Sequence, residues 1–423
     1  MKERIRLTLA AIAISVAFVV GTDAAQTPDA MEHAKALLKR MPLTDGHNDL
    51  PWQYRTKANR DVWSLDIRQP QPQLMTDIPR LREGGVGAQY WSVYVPASMQ
   101  GKEAVRATME QIDIVYQLLE RYPDTFALAL TANDVEKVFN SGRIASLIGI
   151  EGGYSIDSSL GTLRMFYRLG VRYMTLTHSN NIPWADSATD SARVGGLTPF
   201  GKEVIREMNR VGMMVDLSHV APSTMNDALD VSVAPVIFSH SSARALCDHP
   251  RDVPDEVLKR LQQNRGVVMV TFVPGFLSEE VRKFESLRTL ERTRLRGLKG
   301  STDDSVRAGV ETWGKTHPEP KATLAQVADH IDHIRKIAGV DHIGLGGDFD
   351  GIESTPTGLE DVSKYPALIA ELIRRGYSDD DLLKIIGGNA LRVLRKAEEV
   401  AARLQREQVP SGKRIEVLDN NGK

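Results

Sequence analysis

The chain has 423 residues, 42% of them hydrophobic and 26% charged, with a formal net charge of −2 at pH 7. That balance excludes a disordered charged chain, and it lacks the basic excess expected of a nucleic-acid-binding surface. A single cysteine, Cys247, excludes an internal disulfide framework, and its apolar neighbours Ala245 and Leu246 read it as a small buried hydrophobe.

In chain order, Lys2, Arg4 and Arg6 precede an apolar run of 14 residues at 7–20, followed by small residues at 21–25. A membrane-spanning helix needs about 20 apolar residues. Residues 1–25 are therefore read as a secretory signal peptide. The expected protein is exported, periplasmic or extracellular, with no stable membrane span after processing. Residues 26–397 read as one domain and 398–423 as a polar C-terminal tail, surface-lying or frayed.

Within the domain, eight short apolar, β-rich runs recur, at 42–49, 87–95, 145–152, 173–178, 213–219, 235–240, 266–272 and 342–349. Amphipathic stretches of helical length separate most of them, at 104–121, 159–169, 199–210, 254–264, 324–338 and 365–375. Alternating strands and helices predict a parallel sheet, and eight such units predict a closed (β/α)₈ barrel of the TIM type. Runs such as Met213-Met214-Val215 and Val267-Val268-Met269-Val270 are apolar on every residue, as strands covered on both faces must be. The charged stretch 276–322 has no place in a minimal barrel and reads as a helical insertion after strand 7. A last helix is predicted to start at Ser378, ahead of Asp379, Asp380 and Asp381, and to run through Leu394.

The ends of these runs carry the chemistry. They finish on His47 and Asp49, Glu151, His178, His219, His240 and Asp348. In a barrel the C-terminal ends of all strands meet at one mouth. A lone His there is usually a hydrogen-bonded structural group, and a lone Asp a helix cap. Seven such groups together, drawn from a chain with ten His in all, are another matter. Buried carboxylates without compensation cost several kcal/mol each, and a divalent metal pair compensates them. Imidazole and carboxylate without thiolate suit zinc, or sometimes manganese or iron. His47 and Asp49, two apart on a strand, share a face and can reach one metal. Glu151, with two oxygens, is the natural bridge, and His219 and His240 complete a second site. A hydroxide held between two such ions is a nucleophile near neutral pH. Asp348 would take its proton and return it to the leaving amine, with Asp350 the likelier cap of that loop.

The chain also resembles the membrane (renal) dipeptidase family of zinc peptidases, among the metallo-dependent hydrolase barrels. The resemblance rests on Asp45-Gly46-His47-Asn48-Asp49-Leu50-Pro51-Trp52, Gly149-Ile150-Glu151-Gly152-Gly153 and Leu176-Thr177-His178-Ser179-Asn180-Asn181. It continues through Pro183-Trp184-Ala185-Asp186, Asp216-Leu217-Ser218-His219-Val220, Pro235-Val236-Ile237-Phe238-Ser239-His240-Ser241-Ser242, Arg251-Asp252-Val253-Pro254 and Gly346-Gly347-Asp348-Phe349-Asp350-Gly351. It implies His47 and Asp49 on one zinc, Glu151 bridging, and His219 and His240 on the second. It further implies His178 stabilising the tetrahedral intermediate or holding substrate, Arg251 pairing with the dipeptide's free carboxylate, and Asp348 facing the metal-bound hydroxide. The implied substrates are dipeptides, including those with a D-residue at the C-terminal side, and the implied assembly is a homodimer.

Two positions depart from the family pattern. Where a Tyr often follows the seventh strand, this chain has Thr271-Phe272-Val273-Pro274, and Tyr154 stands where some members have His, a change expected to shape the pocket. With one Cys and no C-terminal apolar tail, the disulfides and lipid anchor of the animal enzymes are not expected, so a bacterial exported form fits better. The rival readings are a binuclear amidohydrolase acting on N-acyl amino acids or lactones, and a metal-binding barrel without activity.

Overall fold

The computed structural model describes residues 29–419. The expected signal peptide lies outside the described residues. Nine strands form, β1 (Leu43–Asn48), β2 (Val86–Ser92), β3 (Phe126–Leu128), β4 (Ile144–Glu151), β5 (Val171–Thr175), β6 (Met214–Asp216), β7 (Ile237–Ser241), β8 (Val267–Val270) and β9 (Ile343–Leu345). Every pairing is parallel. β2 pairs with both β1 and β4, and β9 returns to β1 at Leu345 opposite Asp45. The result is the expected closed barrel of eight strands. The additional strand, β3, was not expected. It lies beside the first three residues of β4, and β5 takes over along Ile148–Glu151.

The barrel strands are buried at every residue, which is why their sequences are apolar rather than alternating. The helices Lys102–Arg121, Leu160–Arg168, Pro199–Val211, Asp255–Asn264 and Leu324–Ile337 lie near their predicted positions. A further helix, Pro222–Val231, sits between β6 and β7. Local chemistry fixes several starts. Thr198 accepts a hydrogen bond from Gly201 N ahead of Pro199, and Thr323 and Gln326 form a reciprocal cap.

Two segments refine the expected layout. The stretch after β8 is helical, as predicted, and folds as a hairpin of Glu279–Arg296 and Asp303–Gly314. The stretch read as a tail is structured over its described part, residues 398–419. The helix Asn389–Glu407 runs through it and buries Val400, Ala401 and Leu404, each large aliphatic contributing about 1.5–3 kcal/mol. Ser411 Oγ then donates to Glu203 Oε1 at 2.7 Å, and Phe200 N donates to Asp419 Oδ1 at 2.8 Å. Cys247 is buried as expected. No helix among the described residues is long and apolar enough to cross a membrane.

Candidate metal centre and pocket

The strand ends deliver the seven groups to one place, with a distinction the sequence did not show. His47, Glu151 and His240 sit within β1, β4 and β7, whereas Asp49, His178, His219 and Asp348 lie just past their strands. β6 and β9 are shorter than their apolar runs because the backbone leaves the ladder before the functional residue. His219 (φ +68°) and Asp348 (φ +61°) both adopt the left-handed conformation, which costs a non-glycine residue roughly 1–2 kcal/mol. Strain of this kind persists only where the surroundings hold it. Here they do: Asp348 N donates to His47 O at 3.1 Å and Gly347 N to Asp45 Oδ1 at 2.9 Å, while His219 O accepts from Ala188 N at 2.8 Å and Thr177 Oγ1 at 3.0 Å.

Glu151 is the centre of the arrangement. Its Oε2 lies 3.5 Å from His47 Nε2. Its Oε1 faces the other way, 2.9 Å from His219 Nε2, 3.3 Å from His240 Nε2 and 3.8 Å from His178 Nε2. One carboxylate thus serves two groups of donors with different oxygens. Three clusters follow: His47, Glu151 and His240; Glu151, His178 and His219; and His47, Asp49 and Asp348.

The donor set fits a metal. His47 Nε2 and Asp49 Oδ1 are buried and make no hydrogen bond, although His47 Nε2 lies 3.3 Å from Asp49 Oδ2. Buried polar atoms without partners are costly and call for an explanation. His47 Nδ1 meets the Tyr173 hydroxyl at 2.8 Å, and that hydroxyl donates to Gly46 O at 3.1 Å. With the Tyr173 proton given to Gly46 O, His47 Nδ1 donates to the hydroxyl and Nε2 offers a lone pair, the form in which imidazole binds a metal. Gly149 makes this contact feasible, since a Cβ there would lie 2.0 Å from Tyr173 Cζ. A Cβ on Gly351 would likewise come within 2.3 Å of Asp49 Oδ2 and 2.6 Å of Asp348 Oδ1. Only glycine leaves those two carboxylates their space.

The electrostatics divide the imidazoles: burial works against a charged His47, but Tyr173, Glu151 and Asp49 hold it well above the usual imidazole range. Burial pushes His219 and His240 well below the usual imidazole range, keeping them neutral. Burial alone would raise Glu151, but His47, His178, His219 and His240 outweigh it and hold the carboxylate well below its usual range. Asp348 moves the opposite way. Burial raises it well above the usual range, His47 opposes, and the Asp49 and Glu151 charges add to the rise. A buried carboxyl that readily keeps a proton suits acid–base work.

Above this floor opens a cavity of about 550 Å³, lined by Asp49, Glu151, His178, His219, Arg251 and Asp348 among others. His47 and His240 stand behind it. Arg251, which reads as a surface cation in isolation, is buried and reaches the pocket, donating to His240 O at 3.2 Å and Ser241 Oγ at 3.3 Å. Its Nε has no partner, and its guanidinium lies 5.2 Å from the Phe276 ring. Asp350 is buried and accepts from Met75 N at 2.8 Å, the anchoring role expected of it. Tyr154 corrects an expectation. Its hydroxyl donates to Val95 O at 2.5 Å and the residue does not line the cavity. The tyrosine that lines the cavity is instead Tyr94, which sequence reasoning missed. Its ring is 5.0 Å from both Trp52 and His178, and burial pushes its pKa up to about 12, so it stays a donor.

The membrane dipeptidase family, peptidase family M19, matches residues 31–408. The chain belongs to that family. It is accordingly a metallopeptidase of the dipeptidase class. It is 42% identical over 388 residues to Dipeptidase verJ of Clonostachys rogersoniana, covering 89% of each chain. It is also 42% identical over 378 residues to Dipeptidase 3 of Mus musculus, covering 88% of this chain and 68% of that one. Among solved structures, it resembles the probable dipeptidase PvdM from Pseudomonas aeruginosa (TM-score 0.77, 25% identity, 88% of this chain and 99% of that one). It also resembles a metallo peptidase from Rhodobacter sphaeroides liganded with a phosphinate mimic of the dipeptide L-Ala-D-Ala (TM-score 0.69, 25% identity, 84% and 99%). For a family member, seven metal-type groups at one mouth need no separate origin from the fold: the barrel collects them.

Proposed function

We propose that this dipeptidase hydrolyses free dipeptides, L-L and L-D, at a pair of zinc ions, His47 and Asp49 holding one, His219 and His240 the other, and Glu151 shared between them. The observation that carries this reading is the division of Glu151, with one oxygen toward His47 and the other toward His219 and His240. Zinc at those positions supplies a Lewis acid and a water of lowered pKa.

The remaining work belongs to the chain's own residues. Arg251 takes the dipeptide's C-terminal carboxylate, a planar group its unpartnered Nε and fork suit. His178, at the pocket wall, hydrogen-bonds the scissile carbonyl oxygen as charge builds there. Asp348 holds a proton at its carboxyl oxygen and passes it to the leaving amine. Residues 1–25 direct export to the periplasm or beyond, and the protein works as a homodimer. The L-Ala-D-Ala mimic held by the Rhodobacter sphaeroides relative supports the L-D substrates. Arg251 serves any free carboxylate, so N-acyl amino acids are the second reading; lactones, which lack one, fit less well.

The test is to count metal per chain and to assay L-Ala-L-Ala, L-Ala-D-Ala and N-acetyl-L-alanine with and without chelator. Two zinc ions and chelator-sensitive dipeptide cleavage are expected. Two metals with cleavage of the N-acyl substrate alone would move the function to the second reading, and a chain that holds no metal would end both.

A further inference from the structure

Behind the second group of ligands lies a buried carboxylate that the reaction itself does not use. Asp216, the last residue of β6, is fully buried. Four donors converge on it. Its Oδ1 accepts from Ser218 N at 3.1 Å and Ser239 N at 2.9 Å, and its Oδ2 accepts from the hydroxyls of Thr175 and Ser239, the latter at 2.6 Å. Ser239 Oγ also lies 2.7 Å from His240 Nδ1. A hydroxyl has one proton to give, and Ser239 gives it to Asp216. His240 Nδ1 must therefore donate to Ser239, and His240 Nε2 carries its lone pair toward Glu151 Oε1 at 3.3 Å and His219 Nε2 at 2.9 Å.

The two sides of the centre differ in this support. His47 is backed through Tyr173 by a neutral carbonyl, Gly46 O. His240 is backed through Ser239 by a carboxylate. The same carboxylate pins the backbone at Ser218 and Ser239, each the neighbour of a ligand, His219 and His240. We propose that Asp216 and Ser239 are positioning residues that set the metal affinity of the His219/His240 position, by fixing the His240 tautomer and aligning the two imidazoles. The inference rests on the ligand assignment proposed above. It applies to these two residues the general rule that partners behind a ligating imidazole govern its orientation and basicity.

The experiment uses the full mature chain, stripped of metal and titrated with Zn²⁺ against a chromophoric chelator, and with Co²⁺ followed by its visible absorption. Wild type should take up two ions. In Ser239→Ala, which keeps the backbone contacts of Asp216, one of the two affinities should fall about 10–100-fold, the range for loss of such a partner, with the other unchanged. The Co²⁺ bands of the weakened site should shift. Asp216→Asn should weaken the same site, and the double variant should lose little more than the single ones, because both act through one relay. Thermal unfolding of each metal-free variant confirms that it is folded. Wild-type affinity at both sites in folded Ser239→Ala would overturn the proposal, as would an equal loss at both. A wild-type chain that takes up fewer than two ions would instead overturn the ligand assignment beneath it.

Discussion

The barrel mouth and the hairpin of Glu279–Arg296 and Asp303–Gly314 are both crowded with charge, yet they use it in opposite ways. On the hairpin, charges pair locally in water: Arg294 with Glu291 at 2.7 Å, Arg282 with Glu279 at 2.5 Å. Such pairs contribute little. At the mouth, Asp49, Glu151 and Asp348 face four imidazoles and a guanidinium around one cavity, and buried His47 Nε2 and Asp49 Oδ1 make no hydrogen bond. The lesson is that charge density says little about function until its solvent is known. Charge that the fold has buried at a cost is what points to a ligand.

That contrast can be broken by mutation. The largest effect is expected at Asp348. Asp348→Asn should retain metal and lose about 10²-fold or more in kcat; near-normal turnover would remove its assigned role. Arg251→Ala should raise KM for free dipeptides on the order of 10–100-fold, as for lost hydrogen bonds to a charged group. If the unaltered enzyme cut amidated dipeptides equally well, no carboxylate would be bound there. Gly351→Ala forces a methyl between Asp49 and Asp348, and overpacking of about 1–3 kcal/mol aimed at reacting groups should cost turnover about tenfold. Wild-type rates in that variant would show that the carboxylates have room to spare.

A pH effect outside the mouth is smaller. His330 Nδ1 lies 3.0 Å from Ala243 N, which donates to it, and Nε2 lies 3.1 Å from Leu277 O. Only the neutral ring satisfies both bonds. Burial pushes its pKa down to about 4, whereas the unfolded chain protonates near pH 6.5. Between those values the unfolded state binds the extra proton, so this contribution is intact above pH 6.5 and is lost as pH falls toward 4. His330→Gln should flatten the fall in unfolding free energy over that window by at most about 1.4 kcal/mol per pH unit; an unchanged slope would refute the assignment. On the hairpin, Glu291→Ala should leave both melting temperature and turnover at wild-type values, and a loss of turnover would show that the surface pairs matter after all.

Much of this was legible in the sequence because barrel strands carry two signals at once, an apolar run and a functional residue at its end. His47, Glu151, His178, His219, His240 and Asp348 were read that way as candidates, and the structure brings them to one mouth. What escaped lacked one of the signals. β3 has only three residues, Phe126–Leu128. The helix beyond 397 reads as polar because Val400, Ala401 and Leu404 are its few buried residues there. Tyr94 stands inside an apolar run with no charge to mark it. The support behind the candidate ligands was hidden for another reason: Tyr173 lies 126 residues from His47 in sequence, and that adjacency exists only once the barrel closes.

The left-handed backbone at His219 and Asp348 also shapes how this protein can vary. At both positions glycine is the residue that the main chain would accept most easily, and at both it would remove a side chain to which the proposed function assigns a role. A random library selected only for folded protein should therefore enrich glycine at 219 and 348, while one selected for turnover should purge it. Two positions where fitness for folding and fitness for chemistry pull apart are a direct readout of where natural selection has spent stability on function.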